Sequence, residues 1–325
     1  MKTLKRMVLF LVSSCLLAEP AYAEEAAGAE AAAKIPAEYM TAEKEMGGKV
    51  QAIQYPSRDY AKDNMEITKH ALVYLPPDYS EENAYDLLVL CHGIGGTELE
   101  WGFMKEWCTA KNAVDNLILK GEIRPLIIVM PNGRSTADYN DTSFGNAQSF
   151  YVFGQELRND LLPYMDAHFA TRASRHPDDP AFARMTRSMA GLSMGGMQTI
   201  NIGMCECLDL FSAFGAFSAA PTSYPAASVA KKMEAFPEED RIRFFYSICG
   251  TEDGTAYASA AAAAKDLPEY SGRVDETNFL WQELPGGHDF NIWNLGLYNF
   301  VRILDSVRAE EESSATGTDE RGGER

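Results

Sequence analysis

The stretch TRSMAGLSMGGMQTINIGMCECL, residues 186–208, decides the fold. Residues 186–192 predict a buried strand and residues 194–208 predict a helix, which leaves Ser193 on the turn between them. A serine on so tight a strand-to-helix turn takes strained backbone dihedrals, and side chains two positions on either side of it would clash. Glycines stand at both of those positions. The pentapeptide Gly-Leu-Ser-Met-Gly is the nucleophile-elbow pattern, which is typical of a serine that attacks a carbonyl.

Outward from this turn, short apolar runs alternate with helical patterns along the chain. The predicted strands are 66–75, 86–91, 125–130, 186–192, 213–218, 243–249 and 278–284. The predicted helices are 103–119, 148–168, 194–208, 226–235, 256–267 and 291–308. Uniformly apolar strands separated by helices indicate a mainly parallel central sheet with helices on both faces. We therefore expect one α/β domain over residues 50–308, with the α/β-hydrolase fold.

A serine hydroxyl is a weak nucleophile and needs a base within hydrogen-bond reach. In this fold class the acid and then the histidine follow the serine along the chain, and of the five histidines only His288 lies well beyond Ser193. The acid should follow a strand between them, and the apolar run that ends at Cys249 is followed by GTEDG. Asp253, beside the second glycine, is the first choice for the acid, and Glu252 is the alternative.

Two backbone N–H groups must face the oxyanion that develops on an attacked carbonyl. One is expected from Met194, the residue after the nucleophile. The other is expected from the glycine-rich stretch HGIGG, residues 92–96, which follows a predicted strand and allows the backbone to approach a substrate closely. Ile94 is the first choice for this donor and Gly95 the second. This chemistry requires neither a metal nor a cofactor.

The N-terminus predicts export from the cell. Basic residues within the first six positions precede an apolar run, 7–18, and Ala21-Tyr22-Ala23 has the small-x-small pattern of a signal-peptidase site. We expect a signal peptide over residues 1–23 and a secreted protein. Retention in the periplasm, or a lipid anchor on Cys15, are the alternatives.

Composition excludes some classes of partner and indicates where the folded domain begins and ends. The formal net charge of −18 argues against nucleic acid and anionic membranes, because both reward a basic face. Residues 24–49 predict an exposed linker, and residues 309–325 predict a disordered acidic tail. Cys205 and Cys207 have no cysteine or histidine pair at zinc spacing, so no metal site is expected. No apolar run beyond the leader is long enough to span a membrane.

Several motifs resemble those of one known family. They are HGIGG at 92–96 with Trp101 shortly after it, AGLSMGG at 190–196, SAAP at 218–221, CGTED at 249–253 and GGHDFNIWNLGLYNF at 286–300. Together they resemble carbohydrate esterase family 1, which comprises feruloyl esterases and acetylxylan esterases. The resemblance implies catalysis by Ser193, Asp253 and His288, with Ile94 and Met194 as oxyanion-hole donors. It also implies that the partner is an acylated plant polysaccharide or oligosaccharide such as xylan.

The acyl group is not determined by these motifs. Aromatic side chains that could contact it are Trp101, Tyr139, Phe144, Tyr224 and Trp293. A feruloyl group needs an apolar slot with a polar end, whereas an acetyl group needs little space, and we favour the feruloyl group. An acyltransferase or a peptidase on the same scaffold is the alternative within the class. A catalytically silent glycan-binding module is the alternative from another class, and the intact serine, acid and histidine argue against it.

Overall fold

The computed structural model describes residues 29–42 and 46–319, and the predicted signal peptide lies outside them. One sheet has the strand order β1-β2-β4-β3-β5-β6-β7-β8. The strands are β1 (Lys49–Arg58), β2 (Glu66–Leu75), β3 (Asp86–Cys91), β4 (Leu126–Pro131), β5 (Arg187–Leu192), β6 (Ala213–Phe217), β7 (Phe244–Gly250) and β8 (Phe279–Leu284). Strand β2 pairs antiparallel with β1 and β4, and all other neighbours are parallel. The predicted α/β-hydrolase fold with a mainly parallel sheet is confirmed.

Helices cover both faces of this sheet. They are α1 (Thr109–Leu119), α2 (Phe153–Glu156), α3 (Leu162–His168), α4 (Pro180–Met185), α5 (Met194–Gln198), α6 (Ala226–Met233), α7 (Tyr257–Ala264), α8 (Leu267–Tyr270) and α9 (Phe290–Asp319). Short 3-10 turns are Ala37–Tyr39, Phe144–Val152 and Ala173–Arg175, and π-helical turns are Leu157–Leu161 and Thr199–Met204. Helices α1 and α9 cover one face, and α2, α3, α6 and α7 cover the other.

The central strands are buried on both faces, which explains their nearly continuous apolar sequence. Along β3, for example, Val89 contributes to the core on one face of the sheet, while Leu88 and Leu90 contribute to the core on the other. The loops that follow β3, β5, β7 and β8 all leave the same edge of the sheet, because these strands are parallel. Ligand sites of open α/β sheets collect at this carboxyl edge.

The N-terminal segment differs from its prediction as an exposed linker. Residues 29–39 pack along α9, where the backbone N–H of Ala32 donates to Oδ1 of Asn299 at 3.0 Å and Nδ2 of Asn299 donates back to the carbonyl of Ala32 at 2.9 Å. Strand β1, absent from the predicted strands, is a polar edge strand that contains Pro56. Edge strands tolerate proline and charge, so their sequences read as loops.

The tail also differs from its prediction. Helix α9 continues to Asp319, whereas the sequence predicted a helix that ends at residue 308 and a disordered tail after it. Glu311 pairs with Arg243 and Glu312 pairs with Arg124, each at 2.8 Å. Arginines next to the amino ends of β4 and β7 therefore neutralise acidic residues that composition alone assigns to solvent. No helix in the two described ranges is long and apolar enough to cross a membrane.

A charged pair lies in the core between β2 and α2. Nζ of Lys69 lies 3.1 Å from Oε2 of Glu156, and both side chains are fully buried. Lys69 also donates to the carbonyl oxygens of Asn132, at 2.9 Å, and Arg134. The hydroxyl of Tyr55 donates to Oε1 of Glu156 at 2.5 Å. Burial lowers the pKa of Lys69 although Glu156 opposes the shift, so the pair holds the chain after β4 against the core at an electrostatic cost.

We predict that Lys69→Met lowers the free energy of unfolding by about 3–5 kcal/mol, because it leaves the Glu156 carboxylate buried without its cation. Urea unfolding at pH 7 measures this difference. The matched control is Lys62→Met, whose ion pair with Asp138 is exposed and should contribute little. Equal small changes for the two variants would show that the buried pair does not hold this region.

Candidate active site

The turn at Ser193 packs closely against neighbouring backbone atoms. Ser193 has φ 52° and ψ −114°, a strained conformation for a residue with a side chain. A Cβ on Gly195 would lie 2.6 Å from the carbonyl oxygen of Cys91, and a Cβ on Gly191 would lie 2.6 Å from the carbonyl carbon of Gly195. The Ser193 N–H donates to the carbonyl of Phe217 at 2.9 Å. The turn is therefore held between the ends of β3 and β6, with its serine at the carboxyl edge of the sheet.

A continuous hydrogen-bonded chain leads from this serine into the protein. Nε2 of His288 lies 3.0 Å from Oγ of Ser193, and Nδ1 lies 2.7 Å from Oδ2 of Asp253. The other oxygen of Asp253 accepts the backbone N–H groups of Thr255 and Ala256, at 3.0 and 2.8 Å. Burial acts to raise the pKa of Asp253, but the hydrogen bonds from His288 and the Ala256 N–H outweigh it and hold that pKa below its usual value. An ionised Asp253 accepts a hydrogen bond from Nδ1–H, which leaves Nε2 free to accept the serine proton.

The loops after β7 and β8 are in close contact, and this contact determines which acidic side chain faces His288. A Cβ on Gly250 would lie 2.2 Å from the carbonyl oxygen of Gly286, so only glycine allows the approach. The backbone N–H of Glu252 donates to that same carbonyl at 2.9 Å. The side chain of Glu252 is exposed, whereas Asp253 is 2% exposed and faces His288. Of the two acids that the sequence left open, the structure places Asp253 at the imidazole.

The stretch 92–96, which we call the glycine loop, lies against the serine. A Cβ on Gly93 would lie 3.3 Å from the Cβ of Ser193. The N–H of Gly93 donates to Oε2 of Glu100 at 2.6 Å, and the N–H of Gly96 donates to the carbonyl of Gly93 at 3.2 Å. Two of the loop's N–H groups are thus already used within the protein.

The remaining donors of the glycine loop are those of Ile94 and Gly95. Within the described residues, neither N–H has a hydrogen-bond partner, and the same holds for the N–H of Met194. These are the three donors that the sequence proposed for an oxyanion. The geometry alone does not rank Ile94 above Gly95.

Trp101 packs against the end of β3. The side chain is 2% exposed, its Nε1 donates to the carbonyl of Cys91 at 3.1 Å, and its ring packs edge-on against Phe217 and Phe290. A contact of Trp101 with substrate stays a prediction.

Three other aromatic side chains predicted to contact substrate make their observed contacts with other residues. Tyr139 packs edge-on to His70, Tyr224 lies under Lys232, whose Nζ is 4.7 Å from its ring, and Phe144 is 82% exposed. No hydrogen bond or ring contact among the described residues joins any of the three to Ser193, Asp253 or His288. A role for them in substrate binding stays a prediction.

Trp293 packs directly on the catalytic histidine candidate. Its ring lies 5.0 Å from the ring of His288 at an interplanar angle of 88°, and 4.9 Å from the ring of Phe290. Because Trp293 is only 8% exposed, most of the indole is used in this packing. We infer that it restrains the imidazole more than it offers a surface to a substrate.

An apolar cluster beside Ser193 was missed by the sequence reasoning. It consists of Phe150, Met194, Met197 and Ala220, with Ile94 and Tyr151 packed against it. The N–H of Ala220 donates to the carbonyl of Ser193 at 3.0 Å, so the apolar cluster adjoins the serine directly. Phe150 and Tyr151 fell within a predicted helix, 148–168. Their only signal was their position directly after the polar stretch 131–147.

The described residues contain no group of three or more histidine, cysteine or acidic side chains placed to hold a metal ion. The five cysteines outside the leader are buried and unpaired. They are Cys91, Cys108, Cys205, Cys207 and Cys249. Burial raises the pKa of Cys249 to about 12, and the same cause raises the pKa values of the other four. Thiols of this kind are poor nucleophiles near neutral pH.

Comparison with known families assigns the class. A family model described as a putative esterase matches residues 63–301, which cover the sheet from the end of β1 onward and most of the chain. The chain belongs to this esterase family.

Two curated proteins are similar to this chain over part of their length. The chain is 32% identical over 233 residues to endo-1,4-beta-xylanase Y of Acetivibrio thermocellus, covering 67% of this chain and 20% of the relative. It is 34% identical over 159 residues to an endo-1,4-beta-xylanase/feruloyl esterase of Xylanibacter ruminicola, covering 47% of this chain and 19% of the relative. The chain thus spans about a fifth of the length of these relatives.

Solved structures show the same fold. A mutant of the feruloyl esterase module from Clostridium thermocellum, in complex with sinapinate, has a TM-score of 0.67 at 26% identity, covering 84% of this chain and 94% of that chain. A ferulic acid esterase from Anaeromyces mucronatus has a TM-score of 0.67 at 21% identity, covering 86% and 99%. The resemblance to carbohydrate esterase family 1 that the motifs indicated is confirmed.

We predict that Trp293→Ala lowers kcat by about tenfold or more for an aromatic acyl ester and for an acetyl ester alike, because the indole orients His288 and misplaced catalytic groups lose rate. Steady-state kinetics on both esters measure this effect. Trp107→Ala, which removes an indole that is 73% exposed, is the matched control and should leave both rates unchanged. A loss confined to the aromatic ester would instead make Trp293 part of the acyl pocket.

Proposed function

We propose that this chain is a secreted serine esterase that releases feruloyl groups from xylan-type plant polysaccharide. The observation that carries the proposal is the hydrogen-bonded chain Ser193–His288–Asp253, which ends beside backbone N–H groups that have no partner among the described residues. The N-terminal signal-peptide pattern supports secretion. The xylanase relatives support xylan as the polymer.

The first half of the reaction forms an acyl-enzyme. His288 Nε2 takes the proton of the Ser193 hydroxyl as Oγ attacks the ester carbonyl carbon. The carbonyl oxygen becomes an oxyanion that accepts hydrogen bonds from the Met194 N–H and from the Ile94 N–H of the glycine loop, with the neighbouring Gly95 N–H as the alternative. The ionised carboxylate of Asp253 stabilises the imidazolium that has formed. His288 then protonates the sugar oxygen, which leaves as an alcohol.

The second half releases the acid. Water enters, His288 takes one of its protons, and the resulting hydroxide attacks the acyl carbon on Ser193. The same N–H groups donate hydrogen bonds to the second oxyanion. When this intermediate collapses, His288 returns the proton to Ser193 Oγ and the carboxylic acid departs. No further group is needed to balance either half.

The apolar cluster supports an aromatic acyl group. It adjoins Ser193, contains Met194 and is packed against by Ile94, so an acyl chain attached to the serine would lie along it. Burying an aromatic ring there contributes on the order of a few kcal/mol, and an acetyl group is too small to gain most of it. The Clostridium thermocellum module of the same fold was solved in complex with sinapinate, an aromatic acid.

We predict that Ser193→Ala lowers kcat on methyl ferulate by about 10⁴-fold or more, as the loss of a triad serine does, with the fold intact by circular dichroism. Asp253→Asn should lose far more activity than Glu252→Gln, because only the acid that accepts a hydrogen bond from Nδ1–H sets the histidine tautomer. Residual activity within about tenfold of wild type for Ser193→Ala would refute the nucleophile assignment.

We predict that Tyr151→Ala lowers kcat/KM for a feruloyl ester by about tenfold, equivalent to ~1.4 kcal/mol, and leaves an acetyl ester nearly unchanged. The half-buried Tyr151 packs on the apolar cluster, where a ring would bind. Tyr270→Ala, on exposed α8, is the matched control. A wild-type protein that prefers acetylated xylan would refute the feruloyl assignment and leave the esterase assignment standing.

A further inference from the structure

Arg134, in the polar stretch after β4, is fully buried against the glycine loop. Its Nη1 donates to the carbonyl of Gly96 at 2.7 Å, and its Nη2 donates to the carbonyl of Ile94. The guanidinium carbon lies 4.7 Å from the centre of the Phe150 ring. The planar guanidinium thus donates hydrogen bonds to two carbonyls of the glycine loop, and its face packs against the apolar cluster.

The position of Arg134 is itself set by the core. The carbonyl of Arg134 accepts a hydrogen bond from Nζ of Lys69, and the carbonyl of Asn132 accepts another at 2.9 Å. Lys69 is in turn paired with the buried carboxylate of Glu156. A continuous polar path therefore runs from the interior of the domain to the glycine loop, and none of its members touches the reacting atoms.

A carboxylate also holds the glycine loop. Oε2 of Glu100 accepts the N–H of Gly93, and burial raises the pKa of Glu100. The loop is consequently held at two carbonyls by a cation and at one N–H by an acid. What remains unpaired within the described residues is the pair of N–H groups on Ile94 and Gly95.

Because the peptide bond is planar, a hydrogen bond that fixes the Ile94 carbonyl also fixes the direction of the Gly95 N–H. The carbonyl of Ile94 and the N–H of Gly95 belong to one planar trans peptide unit, so fixing the oxygen on one side points the N–H to the other. A charged donor on the carbonyl also polarises that N–H. Removing Arg134 would release both restraints without touching Ser193, His288 or Asp253.

We propose that Arg134 is a positioning residue for the oxyanion hole, holding the peptide unit that joins Ile94 to Gly95 so that the Gly95 N–H faces the carbonyl attacked by Ser193. The inference rests on the proposed function, because it assumes that Ser193 is the nucleophile. It does not depend on the acyl group. Its effect belongs to the transition state, since the oxyanion does not exist in the bound substrate.

The test compares Arg134→Met and Arg134→Lys with wild type. Arg134→Met should lower kcat by about 10²–10³-fold, the usual cost of one lost oxyanion donor, while KM changes by less than about threefold. The kcat of Arg134→Lys should lie between those of wild type and Arg134→Met, because an ammonium keeps the charge but cannot donate to two carbonyls in the same planar geometry. The pH midpoint of kcat should stay at the wild-type value, because the His288–Asp253 pair is unchanged.

A fluorophosphonate probe gives a second readout that is independent of the substrate. Its phosphonyl oxygen must enter the oxyanion hole as Ser193 reacts, so the labelling rate should fall in parallel with kcat. Arg158→Met, which removes an exposed arginine paired with Asp209, is the matched control and should label like wild type. Thermal unfolding of each variant checks the fold, and Arg134→Lys keeps the test valid if Arg134→Met does not fold.

The outcomes separate the two proposals. Unchanged kcat and labelling in a folded Arg134 variant, or joint shifts of kcat, KM and the pH midpoint, would overturn the positioning role. Wild type that labels at Ser193 but hydrolyses no feruloyl ester would refute the substrate assignment and leave the Arg134 test in force. Wild type that does not label at Ser193 would refute both.

Discussion

The close approach of Gly195 to the end of β3 is the constraint on which the rest of the site depends. With 2.6 Å between a Cβ at that position and the carbonyl oxygen of Cys91, any side chain would push the helix after the turn away from the sheet. Ser193 would then lose the strained backbone that raises its hydroxyl above the sheet edge, a conformation that costs about 1–3 kcal/mol. Hydrogen bonds from the turn to Phe217 and Ala220 hold it in place. The strained backbone conformation of Ser193 persists because packing on both sides of the sheet holds the turn in place.

Buried polar groups extend this rigidity to the glycine loop. Lys69 and Glu156 are buried, where desolvation of a charge costs free energy. They form hydrogen bonds with each other, with Tyr55 and with backbone carbonyls. Such a network resists small displacements, because each shift would leave a buried group without a partner. Arg134 then carries the same rigidity to the loop carbonyls. Donors that are already oriented need not reorganise when an oxyanion appears, and that is the physical basis of this kind of catalysis.

Much of the fold could be predicted from the sequence because it depends on local periodicity. Strands β2 and β3 have the bounds that their apolar runs predicted, 66–75 and 86–91. The prediction failed at the two ends of the chain. Strand β1 is polar and packs at the edge of the sheet, and the acidic end of α9 is neutralised by distant arginines. At the end of α9 the stabilising arginines lie far away in sequence, so composition indicated solvent where the structure has contacts. Strand β1 pairs with β2, which follows it directly, but its polar sequence and Pro56 gave no strand signal.

The sequence by itself determined the fold class, the turn at Ser193 and the choice of His288, because glycine spacing and chain order are local or topological signals. Only the tertiary structure decided that Asp253 rather than Glu252 meets the imidazole, since a one-residue difference in a loop is resolved by the contact of Gly250 with Gly286. It also decided which side chains surround the serine. The direction in which a side chain points depends on packing between segments far apart in the chain, and no local pattern encodes it.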